Sequence, residues 1–264
     1  MDLQIKSKVA LITGSTAGIG YAIAKSLANE GATVVINGRG AERVNNAVEK
    51  IKSETGNENV RGIAADFSDV QQIDHLITSL PDVDILVNNV GIFDPKEFGK
   101  IPDEEWLRFY EVNVLSGVRL SRAYLPKMLT KNWGRIIFIS SESGYQIPAE
   151  MIHYGMTKTA QIAVSRGLAE LTTGTNVTVN TVLPGPTAFE GAGDFIKAMA
   201  KEQNKSQQEI ETDFFAHIRP TSLIKRFIEP EEIANLVTYV ASPLSSATNG
   251  ATLRADGGVL KSAF

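Results

Sequence analysis

The stretch Lys8-Val-Ala-Leu-Ile-Thr-Gly-Ser-Thr-Ala-Gly-Ile-Gly20 decides the fold of this chain. It opens with a short apolar, β-branched run, Lys8 to Ile12, which is typical of a buried strand. Three glycines follow in the spacing G-x3-G-x-G, and the next stretch, Tyr21 to Glu30, is alanine- and leucine-rich with helical periodicity. As a bare pattern the glycine spacing is weak, but between a strand and a helix it strongly predicts a phosphate cradle.

Each glycine of this turn has a predicted task. Gly14 permits the tight turn, Gly18 lets the backbone approach a pyrophosphate, and Gly20 lets the helix pack on the strand. The helix N-terminus then offers unpaired N–H groups and the positive end of the helix dipole. The segment therefore predicts a dinucleotide site.

Strand-like and helical patterns alternate along the rest of the chain. Predicted strands are Val9–Thr13, Thr33–Asn37, Val60–Ala64, Ile85–Asn88, Gly134–Ser140, Thr175–Leu183 and Ala251–Arg254. Predicted helices are Ile19–Glu30, Ala41–Thr55, Asp69–Leu80, Asp103–Thr130, Met151–Leu171 and Pro230–Ala241. Such alternation predicts an α/β fold: a doubly wound, mostly parallel seven-stranded sheet with helices on both faces. No linker or repeat divides the chain, so we expect one domain over residues 1–264.

A second pattern concerns chemistry. Tyr154 and Lys158 are four residues apart in a helical pattern, and residues i and i+4 share a helix face. A tyrosine has an ordinary pKa near ~10 and is a poor base at neutral pH. A lysine charge at about 4.5 Å favours the phenolate by roughly 3–4 kcal/mol at an effective dielectric of about 20. Tyr-x3-Lys alone is common by chance in amphipathic helices, so it needs the glycine turn beside it to carry weight.

With both patterns present, the chain resembles the short-chain dehydrogenase/reductase family over nearly its whole length. The motifs that carry the resemblance occur in order: Thr13-Gly14-x3-Gly18-Ile19-Gly20, Asp66, Asn88-Asn89-Val90-Gly91, Asn113, Ser141, Tyr154-x3-Lys158, Pro184-Gly185 and Asp256-Gly257-Gly258. Val90 departs from the family, which usually has alanine there. We expect this change only to repack the wall beside the cofactor.

The resemblance implies an oxidoreductase that moves a hydride between a nicotinamide and a carbonyl or secondary alcohol. It makes Tyr154 the general acid or base, and Ser141 the donor to the substrate oxygen. Lys158 lowers the pKa of the tyrosine and bonds the nicotinamide ribose. The backbone carbonyl of Asn113 holds a water that connects Lys158 to solvent.

The resemblance also implies the cofactor contacts. The glycine turn contributes Gly14, Ser15, Thr16, Gly18, Ile19 and Gly20. The predicted contacts elsewhere are Arg39, Asp66, Phe67, Asn89, Gly91, Tyr154, Lys158, Pro184, Gly185 and Thr187. Asp66, with the Phe67 backbone beside it, is expected to bond the adenine amine; the alternative is a surface aspartate that starts a turn. The Pro184-to-Thr187 turn is expected to hold the nicotinamide carboxamide.

The end of the second strand governs the choice of cofactor. Enzymes specific for NAD place an acid there to bond the ribose 2′-hydroxyl, whereas this chain has Gly38 followed by Arg39. An arginine fork binds a 2′-phosphate, and a carboxylate would repel it. We expect NADP(H) to be preferred and leave NAD(H) open. NADP enzymes often have a second basic residue just before the middle glycine, where this chain has Ala17. The alternative is that Arg39 is a solvated loop residue without a role in cofactor binding.

Composition narrows the class of protein. Hydrophobic residues make up 43% and charged residues 21% of 264 residues, and the net charge of −4 gives no electrostatic case for nucleic acid or an anionic membrane. The chain has no cysteine, and its three histidines lack metal-ligand spacing, so we expect no metal site. No signal-like segment is recognised, and a cytoplasmic protein is expected by default.

Alternatives and accessory features complete the expectations. A dinucleotide-binding regulatory or scaffold protein that lost catalysis is the main alternative, although such proteins usually lose one of the Ser-Tyr-Lys set. Enoyl reductases of this fold space tyrosine and lysine by six residues, and extended epimerases are longer. Residues 189–227 predict a substrate lid of two short amphipathic helices, or else helices packed permanently on the core. The resemblance implies a homotetramer, with a dimer as the second choice.

Overall fold

A computed structural model describes residues 1–188 and 206–263. Its strands are β1 Val9–Ile12, β2 Thr33–Gly38, β3 Val60–Ala64, β4 Ile85–Asn88, β5 Gly134–Ile139, β6 Val177–Pro184 and β7 Thr252–Ala255. They form one seven-stranded sheet in the order β3-β2-β1-β4-β5-β6-β7, and every neighbouring pair is parallel. The predicted α/β sheet is confirmed, and it is parallel throughout.

The helices in the described ranges lie between successive strands or flank them. They are α1 Gly18–Asn29, α2 Ala41–Thr55, α3 Val70–Ser79, α4 Asp103–Tyr110, α5 Ser116–Lys131, α6 Ile152–Glu170, α7 Gln207–Asp213 and α8 Pro230–Val240. Within the described residues, no helix is both long and apolar enough to cross a membrane.

Two apolar cores cover the two faces of the sheet. In β1, Ala10 and Ile12 belong to the core under α1, α2 and α8, whereas Leu11 belongs to the core under α3, α5 and α6. The alternation follows from the two-residue period of a strand. Because both faces are covered, the central strands β1 and β4 are nearly continuous apolar runs, which is why the sequence located them well.

The predicted bounds agree with the observed ones to within two residues, with one exception. The helix expected over Asp103–Thr130 is divided into α4 and α5 by a π-helical turn, Glu111–Leu115. A π-turn inserts one extra residue into a helix and so shifts the helical register, and such turns often occur at functional sites. Asn113 lies at its centre.

The strand order reverses between the neighbouring strands β1 and β4. From β1 the chain continues to β2 on one side of the sheet, and from β4 it continues to β5 on the other side. In an open parallel sheet the crevice at the carboxyl ends of such strands is the usual ligand site. The predicted lid falls partly outside the described residues, at 189–205. Its remainder contains α7 and a π-turn, Phe214–Ile218.

Candidate active site

A cleft of about 570 Å³ opens at this reversal point. Its wall combines the glycine turn with three of the predicted catalytic residues, Ser141, Tyr154 and Lys158, whereas Asn113 does not line it. The lining residues are Ala17, Gly18, Ile19, Gly20, Arg39, Arg43, Asn89, Gly91, Phe93, Ile139, Ser140, Ser141, Tyr154, Lys158, Pro184, Gly185 and Thr187. Six segments of the chain thus meet at one site.

The glycine turn has the backbone that the sequence predicted. Gly14 and Gly18 have positive φ angles of 59° and 56°, which favour glycine. A Cβ added to Gly20 would lie 2.4 Å from the Gly14 carbonyl oxygen, so only glycine lets α1 approach the turn this closely. Ala17, the residue before α1, supplies no side-chain cap. The first N–H groups of the helix therefore face the cleft as donors for a phosphate.

Two asparagines, Asn37, which is buried, and Asn89, which is half-buried, fix this turn to the sheet. Asn37 at the end of β2 accepts a hydrogen bond from Gly14 N at 3.2 Å and donates to the carbonyl of Ile63 at 3.1 Å. Asn89 donates to the carbonyls of Thr13 and Gly14 at 2.9 and 3.0 Å. These bonds satisfy the polar groups of an irregular backbone, so the cradle is held in place before any ligand binds.

The end of β2 is shaped by close packing. A Cβ on Gly38 would lie 2.6 Å from the Thr16 Cγ2 atom, so the position where an acid would stand is closed to any side chain unless Thr16 moves. Arg39 is exposed and lines the cleft, and Arg43, one turn into α2, lines it too. A second basic residue beside the 2′-phosphate site was expected at position 17, which is alanine; Arg43 was not predicted.

Ser141 follows β5 and adopts a different hydrogen bond from the one expected. Its hydroxyl donates to Glu142 Oε2 at 2.6 Å, and its oxygen accepts from Ser143 N at 3.1 Å. Glu142 is itself buried, with 6% of the residue exposed, and pairs with Arg219 from the segment after α7. The serine therefore sits between the cleft and a buried ion pair.

Tyr154, at the start of α6, lies in the same wall and contacts the exposed ring of Phe93 at 6.2 Å between centroids. Burial raises the pKa of the Tyr154 phenol above its ordinary value, and the Glu142 charge raises it further. A hydrogen bond with Ser141 and the Arg219 charge act in the opposite direction. The Lys158 charge alone predicts a lowered pKa for the Tyr154 phenol, and burial of the phenol opposes that effect.

Lys158 is 4% exposed and lies one turn after Tyr154, with its Nζ atom 5.6 Å from the centre of the tyrosine ring. The ammonium donates to the Ile139 carbonyl at 2.9 Å and to Gln161 Oε1 at 3.2 Å. Burial lowers the pKa of Lys158 to about 7, because removing an ammonium from water disfavours its charged form. The predicted Tyr-x3-Lys proximity on one helix face is present.

Asn113 is fully buried and holds the neighbouring loop. Its Oδ1 accepts from Ile92 N at 2.7 Å, and its Nδ2 donates to the Ile92 carbonyl and to Thr157 Oγ1 at 2.9 and 3.0 Å. Its backbone carbonyl accepts from Gln161 Nε2 at 2.6 Å. The carbonyl expected to hold a water thus has a side-chain donor.

Of the remaining predicted residues, Pro184, Gly185 and Thr187 line the cleft, whereas Asp66 and Phe67 do not. A Cβ on Gly185 would meet the Asp256 carbonyl oxygen at 2.6 Å, so glycine is needed between β6 and the turn after β7. Thr187 donates to the Gly185 carbonyl at 2.8 Å. Asp66 accepts from Ser68 N and Ser68 Oγ at 2.9 and 2.8 Å, as a turn-starting aspartate does, while the Phe67 side chain is buried in the core.

Sequence reasoning missed Glu142, Arg219, Gln161 and Arg43. Of these, only Glu142 is adjacent in sequence to a predicted site residue, since it directly follows Ser141. Arg219 lies 77 residues from its partner, so no local pattern connects the two. His153 does not line the cleft; it is fully buried against the Phe109 ring, 4.1 Å between centroids. In the described residues no cluster suited to a metal ion occurs.

A dinucleotide fits this set of residues. The glycine cradle, the uncapped α1 N-terminus and two arginines suit phosphates, and a hydroxyl, a phenol and an ammonium lie beyond them along the same cleft. The cleft thus combines hydrogen-bond donors for phosphate groups with side chains that can transfer a proton. This combination defines the class of protein as a dinucleotide-dependent oxidoreductase.

Comparison with known proteins agrees. The family model for short chain dehydrogenases matches residues 8–200, and the chain belongs to this family. It is 52% identical, over the full length of both chains, to the Bacillus subtilis (strain 168) protein named "Uncharacterized oxidoreductase YvaG". It is 31% identical to the 3-oxoacyl-[acyl-carrier-protein] reductase FabG of Aquifex aeolicus (strain VF5), over 98% of this chain and 100% of that one.

Among solved structures, L-sorbose reductase from Gluconobacter frateurii, complexed with NADPH and L-sorbose, has a TM-score of 0.93. The match has 32% identity and covers 99% of this chain and 100% of that chain. The protein is therefore an NAD(P)-dependent enzyme of the short-chain dehydrogenase family, as the sequence predicted.

Proposed function

We propose that this enzyme is an NADP(H)-dependent reductase of ketones, and in reverse a dehydrogenase of secondary alcohols. One observation carries the proposal: Ser141, Tyr154 and Lys158 line the same cleft as the glycine turn and two arginines. Burying an ammonium beside a phenol costs desolvation energy. A protein without catalysis would gain nothing from this arrangement. A regulatory protein without catalysis is accordingly the weaker alternative.

The bound nicotinamide supplies or accepts the hydride. Tyr154 donates a proton to the substrate oxygen during reduction and accepts one during oxidation. Ser141 donates a hydrogen bond to that oxygen once its hydroxyl turns from Glu142 toward the cleft. Lys158, held by the Ile139 carbonyl, presents its charge to the phenol and bonds the nicotinamide ribose. Asn113 fixes the loop at Ile92.

Preference for NADP(H) is supported at the end of β2. Thr16 packs where the acid of an NAD-specific enzyme would need space, and Arg39 and Arg43 place two guanidinium groups along the cleft. A 2′-phosphate is bound well by such a pair. The L-sorbose reductase structure, which contains NADPH, adds an argument by similarity. We propose the adenosine contacts of Asp66 and Phe67 on the resemblance alone.

The proposal is tested with a panel of ketones, sugars and 3-oxoacyl thioesters, followed by NADPH absorbance at 340 nm. Tyr154→Phe removes the transferable proton and is expected to abolish turnover while NADPH binding, measured by fluorescence titration, stays nearly unchanged. A Phe variant that keeps more than a few per cent of the wild-type rate overturns the role of Tyr154. NADPH binding without turnover of any panel member would favour the regulatory alternative.

We also propose that the enzyme is a homotetramer, with a dimer as the alternative. On α4, Leu107 and Tyr110 are 69% and 41% exposed, and apolar side chains on one short helix are suited to an interface. Light scattering at micromolar concentration measures the mass directly. A monomer would contradict the proposal.

A further inference from the structure

Gln161 bridges two parts of the proton-transfer site. It lies on α6, one turn after Lys158, with 2% of its surface exposed. Its Oε1 atom accepts a hydrogen bond from Lys158 Nζ at 3.2 Å, and its Nε2 atom donates to the Asn113 carbonyl at 2.6 Å. Both ends of one amide are therefore engaged, one on the ammonium and one on the π-turn.

The two bonds also fix which way the amide points. A carbonyl can only accept and an ammonium can only donate, so the Asn113 carbonyl takes the NH₂ end and Lys158 takes the oxygen end. The amide dipole thus presents its negative end to a buried positive charge. Reversal of the amide would break both bonds, and two partners of fixed polarity exclude it.

We propose that Gln161 is a positioning residue for Lys158, whose oxygen keeps the buried ammonium charged and directed at Tyr154. The role in catalysis rests on the proposed function, but the effect on Lys158 does not. An ammonium has three N–H donors. The Ile139 carbonyl and Gln161 Oε1 take two of them, and so set the direction of the third.

The charges around the phenol and the ammonium define the expected sign. Tyr154 is on the same helix, Glu142 follows β5, and Arg219 comes from the segment after α7; the last two act on the phenol. Burial already lowers the pKa of Lys158 to about 7. Loss of the amide oxygen removes a stabilising partner of the charged form, so the pKa falls further, and a carboxylate in its place raises the pKa.

The test is an NMR titration of the enzyme labelled with 13C at the lysine ε position. The Lys158 signal is assigned by its loss in Lys158→Ala. We expect Gln161→Met, which is close in volume but offers no oxygen, to lower the titration midpoint by about one pH unit, as for a hydrogen bond to a charged group. Gln161→Glu is expected to raise the midpoint.

Opposite shifts from one position distinguish the electrostatic role from packing. Both variants shifting in the same direction, or neither shifting, overturns the proposal. Gln161→Glu is nearly isosteric, although its carboxylate loses the bond to the Asn113 carbonyl, and it retains the test if Gln161→Met does not fold. The matched control is Asn180→Leu, which removes a fully buried amide that donates to Thr248 O at 2.8 Å and accepts from Ala251 N at 3.0 Å. It is expected to leave the Lys158 midpoint unchanged.

A second measurement connects the effect to chemistry. A less charged Lys158 supports the phenolate less, so the pH profile of alcohol oxidation by Gln161→Met is expected to move to higher pH. A shift in the NMR midpoint with no activity on any substrate would contradict the proposed function and leave the inference on Lys158 intact. A displaced activity profile with an unmoved NMR midpoint would overturn the inference.

Discussion

Arg219 donates from Nε to Glu142 Oε1 at 3.0 Å, while the other oxygen of that carboxylate accepts the Ser141 hydroxyl at 2.6 Å. The two charged side chains are only 13% and 7% exposed. The segment after α7 thus supplies the charge that balances a buried carboxylate beside Ser141 and Tyr154. Because Glu142 raises the pKa of Tyr154 and Arg219 lowers it, the position of this segment affects the phenol.

Arg219→Ala is expected to destabilise the enzyme and to shift its pH profile. Leaving the Glu142 carboxylate without its partner is expected to lower the free energy of unfolding by about 2–3 kcal/mol. This is less than for a fully buried pair because Arg219 retains some exposure. The pKa of Tyr154 rises further, so alcohol oxidation moves to higher pH while reduction persists to higher pH. Thermal unfolding and the two pH profiles measure these effects.

Two controls accompany this variant. Glu142→Gln in the Arg219→Ala background removes the lone charge and is expected to recover most of the lost stability. Arg226→Ala breaks a solvent-exposed pair with Glu232 and is expected to leave the Tm and the pH profiles unchanged, since exposed pairs contribute little. An unshifted profile in Arg219→Ala would show that its charge does not reach Tyr154.

Arg39→Ala is expected to weaken NADPH binding and to leave NADH binding nearly unchanged. Because Arg39 is exposed, we expect about 1–2 kcal/mol, or roughly 5- to 30-fold in Kd, for loss of a charge-assisted bond to the 2′-phosphate. Arg43→Ala tests the second arginine in the same way. Titration of each variant with both cofactors is the measurement, and equal losses for NADPH and NADH would rule out 2′-phosphate recognition.

His153→Phe is expected to change how stability depends on pH. Burial is the main cause that lowers the pKa of His153 below 6.5, so the unfolded chain takes up this proton at a higher pH than the folded enzyme does. Its contribution to stability is therefore present above about 6.5 and lost as pH falls through the folded pKa. Phenylalanine, beside the Phe109 ring, removes this loss, and the Tm should fall less on acidification. A variant with the wild-type slope would contradict this.

Hydrogen exchange tests the lid in the described part of the predicted segment, residues 206–218. If Arg219 anchors a cover, these amides should exchange fast in the free enzyme and slowly once NADPH and a substrate analogue bind. The rings of Phe214, Phe215 and Phe227 lie 5.0–5.1 Å apart, which would equally suit a permanently packed helix. Full protection without ligand would favour that alternative.

The sheet, the glycine turn and the Tyr154–Lys158 pair were accessible from sequence because each depends on neighbours within a turn or a strand. Ser141 and Asn113 were predicted only from the family resemblance. Tyr154 and Lys158 share a helix face by spacing alone. Gly14 and Gly20 follow from the backbone and packing that a strand-to-helix turn requires. The π-turn at Asn113 was not predicted, because the helical patterns on its two sides were read as one continuous helix, Asp103–Thr130.

The sequence by itself determined the strand and helix order, the parallel sheet, the glycine cradle and the Tyr154–Lys158 pair. Only the tertiary structure decided that Glu142 pairs with Arg219, 77 residues away, and that Gln161 reaches the carbonyl of Asn113, 48 residues away. It also decided the direction of the Tyr154 pKa, where burial opposes the lysine charge. Periodic patterns encode which residues share a helix or strand face. Long-range pairing and the desolvation of a charge depend on how the elements pack against one another.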